Sequence, residues 1–115
     1  MDQLQINATF PNIAPENLDD FKKLAAEGLE VTKGEEGTLQ YDWFMSNDGS
    51  KCVLRETYAS SDAALTHMGN MGELLGRIIE LGGGIEIEVF GEPSEDLMAA
   101  GAALEPAVYS FLQGK

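Results

Sequence analysis

Alternating apolar and polar residues mark four segments of the chain as β-strands. In residues 4–10, LQINATF, the even-numbered side chains are apolar from Leu4 to Phe10 and the odd-numbered ones are polar, which is typical of a half-buried strand. Three further segments alternate in a similar way, at residues 38–46, 52–59 and 85–90. The connection 47–50, NDGS, lies between the second and third strands, and its Asp-Gly step predicts a tight hairpin.

Apolar residues at helical spacing predict two long helices between these strands and one short helix after them. Residues 16–32 carry an apolar stripe with acidic residues in the first turn. A second helix is predicted from a cap at Ser60 or Ser61 to about Leu81, where three glycines end it. Residues 94–104 predict a short third helix, and the tail that follows it predicts a short fifth strand.

The order of these elements, β-α-β-β-α-β, predicts an α+β fold of the ferredoxin-like type. In this fold one antiparallel sheet carries two helices on one face. We expect residues 1–92 to form this ferredoxin-like domain. Residues 93–115, the short helix and tail, are expected to belong to the same domain, because the chain is long enough for one core only.

The face of the sheet away from the helices has no predicted cover. Depending on the orientation of each strand, aromatic side chains such as Tyr41, Trp43, Phe44 or Tyr58 lie on it. A sheet with apolar side chains on both faces needs a second layer to exclude water. The simplest second layer is the same face of another copy, so we expect a homodimer in which the two sheets face each other.

The charge of the chain narrows the choice of partners. Twenty acidic residues face seven basic ones, which gives a formal net charge of −13. Nucleic acids and anionic membranes both attract basic surfaces, so we expect neither as a partner. The N-terminal residues have neither the basic start nor the apolar stretch of a signal peptide, and no apolar run approaches the ~20 residues of a membrane span. We therefore expect a cytoplasmic protein.

The only histidine, His67, lies within the second predicted helix. On a helical wheel at ~100° per residue it falls on the apolar arc between Leu74 and Ile78, so it is predicted to face the sheet. Met71 lies on the same arc. Two interpretations of His67 remain open: a buried core histidine with one hydrogen bond, or a pocket residue that acts as a base near neutral pH.

Two stretches of the sequence carry a family resemblance. The stretch 36–41, EGTLQY, resembles the opening of the second strand in the antibiotic biosynthesis monooxygenase family, and is most similar to its quinol-monooxygenase-like members. The stretch 56–67, ETYASSDAALTH, is similar to the family's segment of an acidic residue, an aromatic residue, a small polar helix cap and a histidine. The resemblance covers about residues 3–92.

This resemblance implies a dimeric α+β barrel that oxygenates a small electron-rich phenol or hydroquinone with O₂, without metal, flavin or other cofactor. It implies His67 as a base or orienting group, with Asn7, Trp43 and Tyr58 as hydrogen-bond donors or pocket walls. The predicted substrate pocket is completed by Tyr41, Phe44, Glu56 and Met71. Asn7 is also similar to an asparagine of the heme-degrading branch, but that branch has a tryptophan where this chain has Tyr58, which argues against heme.

Other functions remain open beside this one. Glu56 is predicted to form a structural ion pair with Arg55 or Arg77 of either subunit, and no ligand spacing predicts a metal site. Two alternatives to an enzyme remain: a small-molecule-binding module without chemistry, and a purely structural dimer. A cavity beside His67 would favour catalysis or binding, whereas a filled core there would leave only the structural role.

Overall fold

The computed structural model describes residues 2–115, and a five-stranded sheet forms its centre. The strands are β1 Leu4–Phe10, β2 Thr38–Met45, β3 Cys52–Tyr58, β4 Glu86–Phe90 and β5 Ala107–Tyr109. They lie in the order β2-β3-β1-β4-β5. The first four strands pair antiparallel, and β5 adds to β4 in parallel. This arrangement confirms the predicted ferredoxin-like α+β fold, with β5 as an additional edge strand.

Within this described range, the α-helices are α1 Leu18–Thr32, α2 Ser61–Met71, α3 Glu73–Leu81 and α4 Glu95–Gly101. A 3₁₀ turn, Pro15–Asn17, leads into α1, and a second one, Ala102–Leu104, follows α4. The Ser60 hydroxyl accepts a hydrogen bond from the amide of Ala63 at 3.1 Å, which makes Ser60 the cap of α2. None of the helices in residues 2–115 is both long enough and apolar enough to cross a membrane.

The helix predicted to run from the serine cap to about Leu81 is two helices. Gly72 adopts φ 51°, in the left-handed region that glycine enters without a steric penalty, and α2 ends there. The break lets the two halves pack against different neighbours. α3 packs mainly against α1, whereas α2 also contacts α4 and strands β2 and β3.

The register of the sheet decides which side chains face the helices. Glu56 of β3 lies directly opposite Ile6 of β1 and opposite Tyr41 of β2. Residues paired in this way share a face, and successive residues along a strand alternate between faces. The even-numbered side chains of β1 and β3 therefore join the odd-numbered side chains of β4 and, from Tyr41 onward, of β2 on the helix side.

An aromatic cluster forms part of the core on the helix side. The rings of Phe10 and Phe21 meet edge to face with centroids 5.4 Å apart, and both residues are fully buried. Trp43 stacks on Phe10 at 5.7 Å. Contacts of this kind add roughly 0.5–1.5 kcal/mol each to the effect of burial, so the cluster holds α1 firmly against the sheet.

The opposite face of the sheet remains open in the single chain. Of the four aromatic residues considered for this face, only Phe44 lies on it, and it is 53% exposed; the other three face the helices. Phe90 and Tyr109 lie on the open face as well, where their rings stack at 5.3 Å. Charged residues such as Arg55 and Glu86 alternate with these apolar groups.

Candidate active site

A cavity of about 100 Å³ lies between the helix side of the sheet and the helices α2, α3 and α4. Its walls are mainly apolar, with a few polar side chains from β2, β3 and α2. Six of the predicted site residues line it, namely Tyr41, Trp43, Glu56, Tyr58, His67 and Met71. The filled core that a purely structural role requires beside His67 is therefore not found.

The side chain of His67 reaches the cavity from α2. It lies on the same side of this helix as Ala64 and Met71, and all three are buried. The Nδ1 atom of His67 lies 2.9 Å from Oε1 of Glu35, which belongs to the turn between α1 and β2. A buried histidine and a buried carboxylate thus form a hydrogen-bonded pair, with side chains 8% and 6% exposed.

Two further donors hold Glu35 in place. Asn70 donates to Oε2 at 3.0 Å, and the hydroxyl of Thr38 donates to Oε1 at 2.7 Å. Burial alone raises the pKa of Glu35, but the hydrogen bonds from Asn70, Thr38 and His67 outweigh it and lower the pKa below its ordinary value. Glu35 is therefore ionised at neutral pH and can only accept hydrogen bonds. Nδ1 of His67 must then carry a hydrogen, and Nε2 is the basic nitrogen of the neutral ring.

A second carboxyl group faces the other nitrogen of the His67 ring. Nε2 lies 3.7 Å from Oε1 of Glu56, and this oxygen also accepts a hydrogen bond from the hydroxyl of Tyr58. The pKa of Glu56 is raised to about 7, mainly because the group is buried. The hydrogen bond from Tyr58 partly offsets this rise, and the negative charge of Glu35 adds to it. Glu56 does not form the predicted ion pair with Arg55, because adjacent residues of β3 point to opposite faces.

Two residues that line the cavity each have a buried hydrogen-bond donor without a partner among residues 2–115: the hydroxyl of Tyr41 and the indole N–H of Trp43. Their rings pack edge to face at 5.8 Å, and the ring of Tyr41 lies 5.2 Å from that of His67. Burial, followed by the charge of Glu56, raises the pKa of Tyr41, so its hydroxyl keeps its hydrogen. A buried donor without a partner costs about 1–3 kcal/mol, so the two groups together lower the stability of this part of the core.

A glycine of α1 leaves the space that Tyr41 occupies. A Cβ atom at Gly28 would lie 3.0 Å from the hydroxyl oxygen of Tyr41 and 3.3 Å from Cε of Met71. Both distances are closer than ordinary van der Waals contact. Gly28 therefore allows α1 to approach the cavity wall, at a cost of about 1 kcal/mol in helix propensity.

The structure does not bring Asn7 and Phe44 to this cavity, which corrects the predicted site. Asn7 pairs with Arg55 and Phe44 with Val53, and all four side chains lie on the open face of the sheet. The physical reason is the alternation of the strands: Asn7 stands between Ile6 and Ala8, which face the helices. Neither side chain can approach His67 of the same chain without reversing its strand.

Two parts of the site are absent from the residues predicted from the sequence. Glu35 stands next to another glutamate in a glycine-flanked turn, and no local pattern distinguishes the two. The second part is the cover segment, which we define as residues 93–106, containing α4 and the 3₁₀ turn after it. It lines the cavity with Pro93, Leu97, Met98, Gly101, Leu104 and Pro106. The helical spacing of these apolar residues was visible in the sequence and could have indicated a buried stripe.

The convergent side chains are suited to acid–base chemistry. The oriented imidazole offers a basic nitrogen at the cavity wall, and Glu56 offers a carboxyl group that is partly protonated near pH 7. Within residues 2–115 no group of three or more histidine, cysteine, aspartate or glutamate side chains is placed to hold a metal ion.

Comparison with known proteins assigns the chain to a family. The sequence model of the antibiotic biosynthesis monooxygenase family matches residues 5–71, more than half of the chain. The protein belongs to this family. No functionally curated protein matches the chain.

Solved structures share the fold. MupZ from Pseudomonas fluorescens superposes with a TM-score of 0.79 at 24% identity, over 98% of this chain and 92% of its own. For Rv0793 from Mycobacterium tuberculosis the TM-score is 0.64 at 23% identity, over 81% and 97%. For a candidate antibiotic biosynthesis monooxygenase from Caulobacter crescentus it is 0.65 at 22% identity, over 81% and 92%. At these identities the likeness establishes the fold alone.

Proposed function

We propose that the protein is a monooxygenase that oxidises a small electron-rich aromatic compound, such as a hydroquinone, directly with O₂. The observation that carries the proposal is the pair of Glu35 and His67, with the histidine at the wall of a mainly apolar cavity. Membership of the antibiotic biosynthesis monooxygenase family supports the class of reaction. The oxidation needs no bound metal or flavin, because a deprotonated hydroquinone is itself a reductant of O₂.

The reaction begins with a proton transfer. Nε2 of His67 removes a proton from a ring hydroxyl of the substrate, and Glu35 stabilises the imidazolium that forms. The electron-rich anion gives electrons to O₂, and a bond forms between a ring carbon and one oxygen atom. The O–O bond then breaks, and the distal oxygen leaves as water after taking up protons, for which Glu56 is the nearest carboxyl donor.

Atoms and electrons balance for hydroquinone as the substrate. One hydroquinone and one O₂ become one hydroxybenzoquinone and one water. The ring loses four electrons, O₂ gains four, and the hydrogens lost by the ring and its hydroxyl groups either form the water or remain on the new hydroxyl group.

Oxygen uptake with a panel of hydroquinones tests this function. We expect the metal-stripped protein to consume O₂ and hydroquinone in equal amounts, and His67→Ala to lower the rate at least about 100-fold, as expected for the loss of a general base. Thr66→Ala is the matched control, because Thr66 neighbours His67 but is exposed. Unchanged uptake in His67→Ala would refute the role of the histidine. Binding without any uptake would instead indicate a small-molecule-binding module.

We also propose that two chains pair through the open faces of their sheets. Exposed aromatic side chains on this face, Phe44 among them, support a second copy as the cover, since a second layer removes such side chains from water. Light scattering after size exclusion is expected to give a dimer for the natural chain and a monomer for Phe44→Glu. Leu29→Glu adds the same charge on α1 and should remain dimeric. A dimer that survives Phe44→Glu would place the interface elsewhere.

A further inference from the structure

Among residues 2–115, no positively charged group lies on the wall of the cavity beside His67. The lining residues of this described range include neither lysine nor arginine, and their charged or titratable side chains are Glu56, Tyr41, Tyr58 and His67. Glu35 lies directly behind His67. An anionic ligand would therefore find no cation to replace the water that it loses on entering.

The protons shared by Glu35, His67 and Glu56 do not change this conclusion. The three groups together carry two negative charges when fully deprotonated, one when they share a single proton, and none when they share two. They become positive only when both carboxyl groups and the imidazole are protonated at once. Near neutral pH the net charge of the cluster is therefore negative or zero, so the cluster repels an anion or does not attract it.

The second limit on the ligand is space, and the cover segment sets it. A cavity of about 150 Å³ in another protein holds one benzene molecule, so a cavity of about 100 Å³ leaves room for no more than a single ring. Met98 and Leu104 of the cover segment line the cavity on the side of α4. This segment lies outside residues 5–71, the part of the chain that the family shares. It is anchored at its start, where the amide of Ser94 donates to the hydroxyl of Ser61 at 2.9 Å.

We propose that the cavity selects an uncharged single-ring hydroxyaromatic, that Glu35 and Glu56 exclude carboxylated rings, and that Met98 and Leu104 exclude fused rings. The proposal rests on the proposed function only in taking hydroxyaromatics as the class of ligand. It concerns binding and not turnover. Titrations in the absence of O₂ therefore test it separately from the oxygenation chemistry.

Calorimetric titration under nitrogen at pH 7 tests the charge limit. We expect hydroquinone to bind at least about tenfold more tightly than 2,5-dihydroxybenzoate, the same ring with a carboxylate. The preference is expected to fall at least about threefold in Glu35→Gln or in Glu56→Gln. Glu36→Gln, which removes an exposed charge next to Glu35, should leave it unchanged. Equal affinity for the two rings, no binding of hydroquinone, or a preference unaffected in both cavity variants would overturn the charge limit.

The same titration with 1,4-naphthohydroquinone tests the size limit. The natural protein is expected to bind this fused ring at least about tenfold more weakly than hydroquinone, and Leu104→Ala or Met98→Ala to remove most of the difference. Leu112→Ala makes the same truncation at a residue that is 88% exposed, and should have no effect. Tight binding of the fused ring by the natural protein would overturn the role of the cover segment. If the two compounds differ in affinity but support equal rates of oxygen uptake, the size selection still holds. It then acts on binding and not on turnover.

Discussion

The buried carboxyl group of Glu56 makes the stability of this protein depend on pH, and Glu56→Gln isolates that dependence. Glutamine has nearly the same shape, and its amide oxygen can still accept the hydrogen bond from the hydroxyl of Tyr58. The substitution removes the titrating group alone. It does so at a position whose side chain is 9% exposed, where solvent screens the charge very little.

The magnitude follows from the two pKa values of Glu56. Burial raises the pKa from the ordinary 4.5 to about 7 in the folded protein. Because the folded pKa lies above the unfolded one, the folded chain holds the proton more tightly, and this stabilisation is complete below about pH 4.5 and lost as the pH rises through about 7. Each pH unit between the two pKa values corresponds to about 1.4 kcal/mol. As the pH rises, the natural protein therefore loses roughly 3 kcal/mol of unfolding free energy, and Glu56→Gln does not lose it.

Urea unfolding of both proteins at several pH values between about 4.5 and 8.5 measures this difference. The quantity to follow is the unfolding free energy of Glu56→Gln minus that of the natural chain, because repulsion among the many other acidic residues cancels in it. We expect the difference to grow by roughly 3 kcal/mol across the range. Glu36→Gln, at an exposed site, should show a flat difference. A flat difference for Glu56→Gln as well would refute the assignment of a raised pKa to a buried carboxyl group.

The remaining predictions concern the base and the backbone. Glu35→Gln is expected to lower the turnover number of oxygen uptake about 10- to 100-fold with little change in KM. The reason is that His67 is no longer held in its orientation, whereas the cavity stays intact. A rise in KM alone would show that Glu35 acts on binding. Gly83→Ala should lower the unfolding free energy by roughly 2–4 kcal/mol, since Gly83 has φ 74° and its Cβ would collide with the carbonyl of Asn12. Gly76→Ala in α3, where a Cβ meets nothing within 4 Å, should raise the unfolding free energy by up to about 1 kcal/mol. Urea titrations that give the opposite order of stability for the two glycine variants would contradict both assignments.

Local patterns in the sequence were sufficient for most elements of the fold. Alternation placed β1 at residues 4–10 with the bounds that the structure has, and the Asp-Gly step marked the hairpin between β2 and β3. These features depend on neighbours within a few positions, through steric preference and the two-residue period of a strand. The odd position of Asn7 in β1 likewise separates it from the apolar even-numbered residues, so the alternation alone places it on the face away from the cavity.

The site itself depended on contacts that no local pattern encodes. Glu35 and His67 are 32 positions apart, and the folding of α1 and α2 onto one sheet is what joins them. The face on which Phe44 lies depends on the register of β2, which shifts at an irregularity between Thr38 and Gln40. The break of the predicted long helix at Gly72 depends on what α2 and α3 pack against. By itself the sequence determined the elements and the histidine on an apolar arc, because these follow from short-range periodicity. Only the tertiary structure decided which carboxylates reach that histidine and which segment closes its cavity, because such contacts follow from packing between distant parts of the chain.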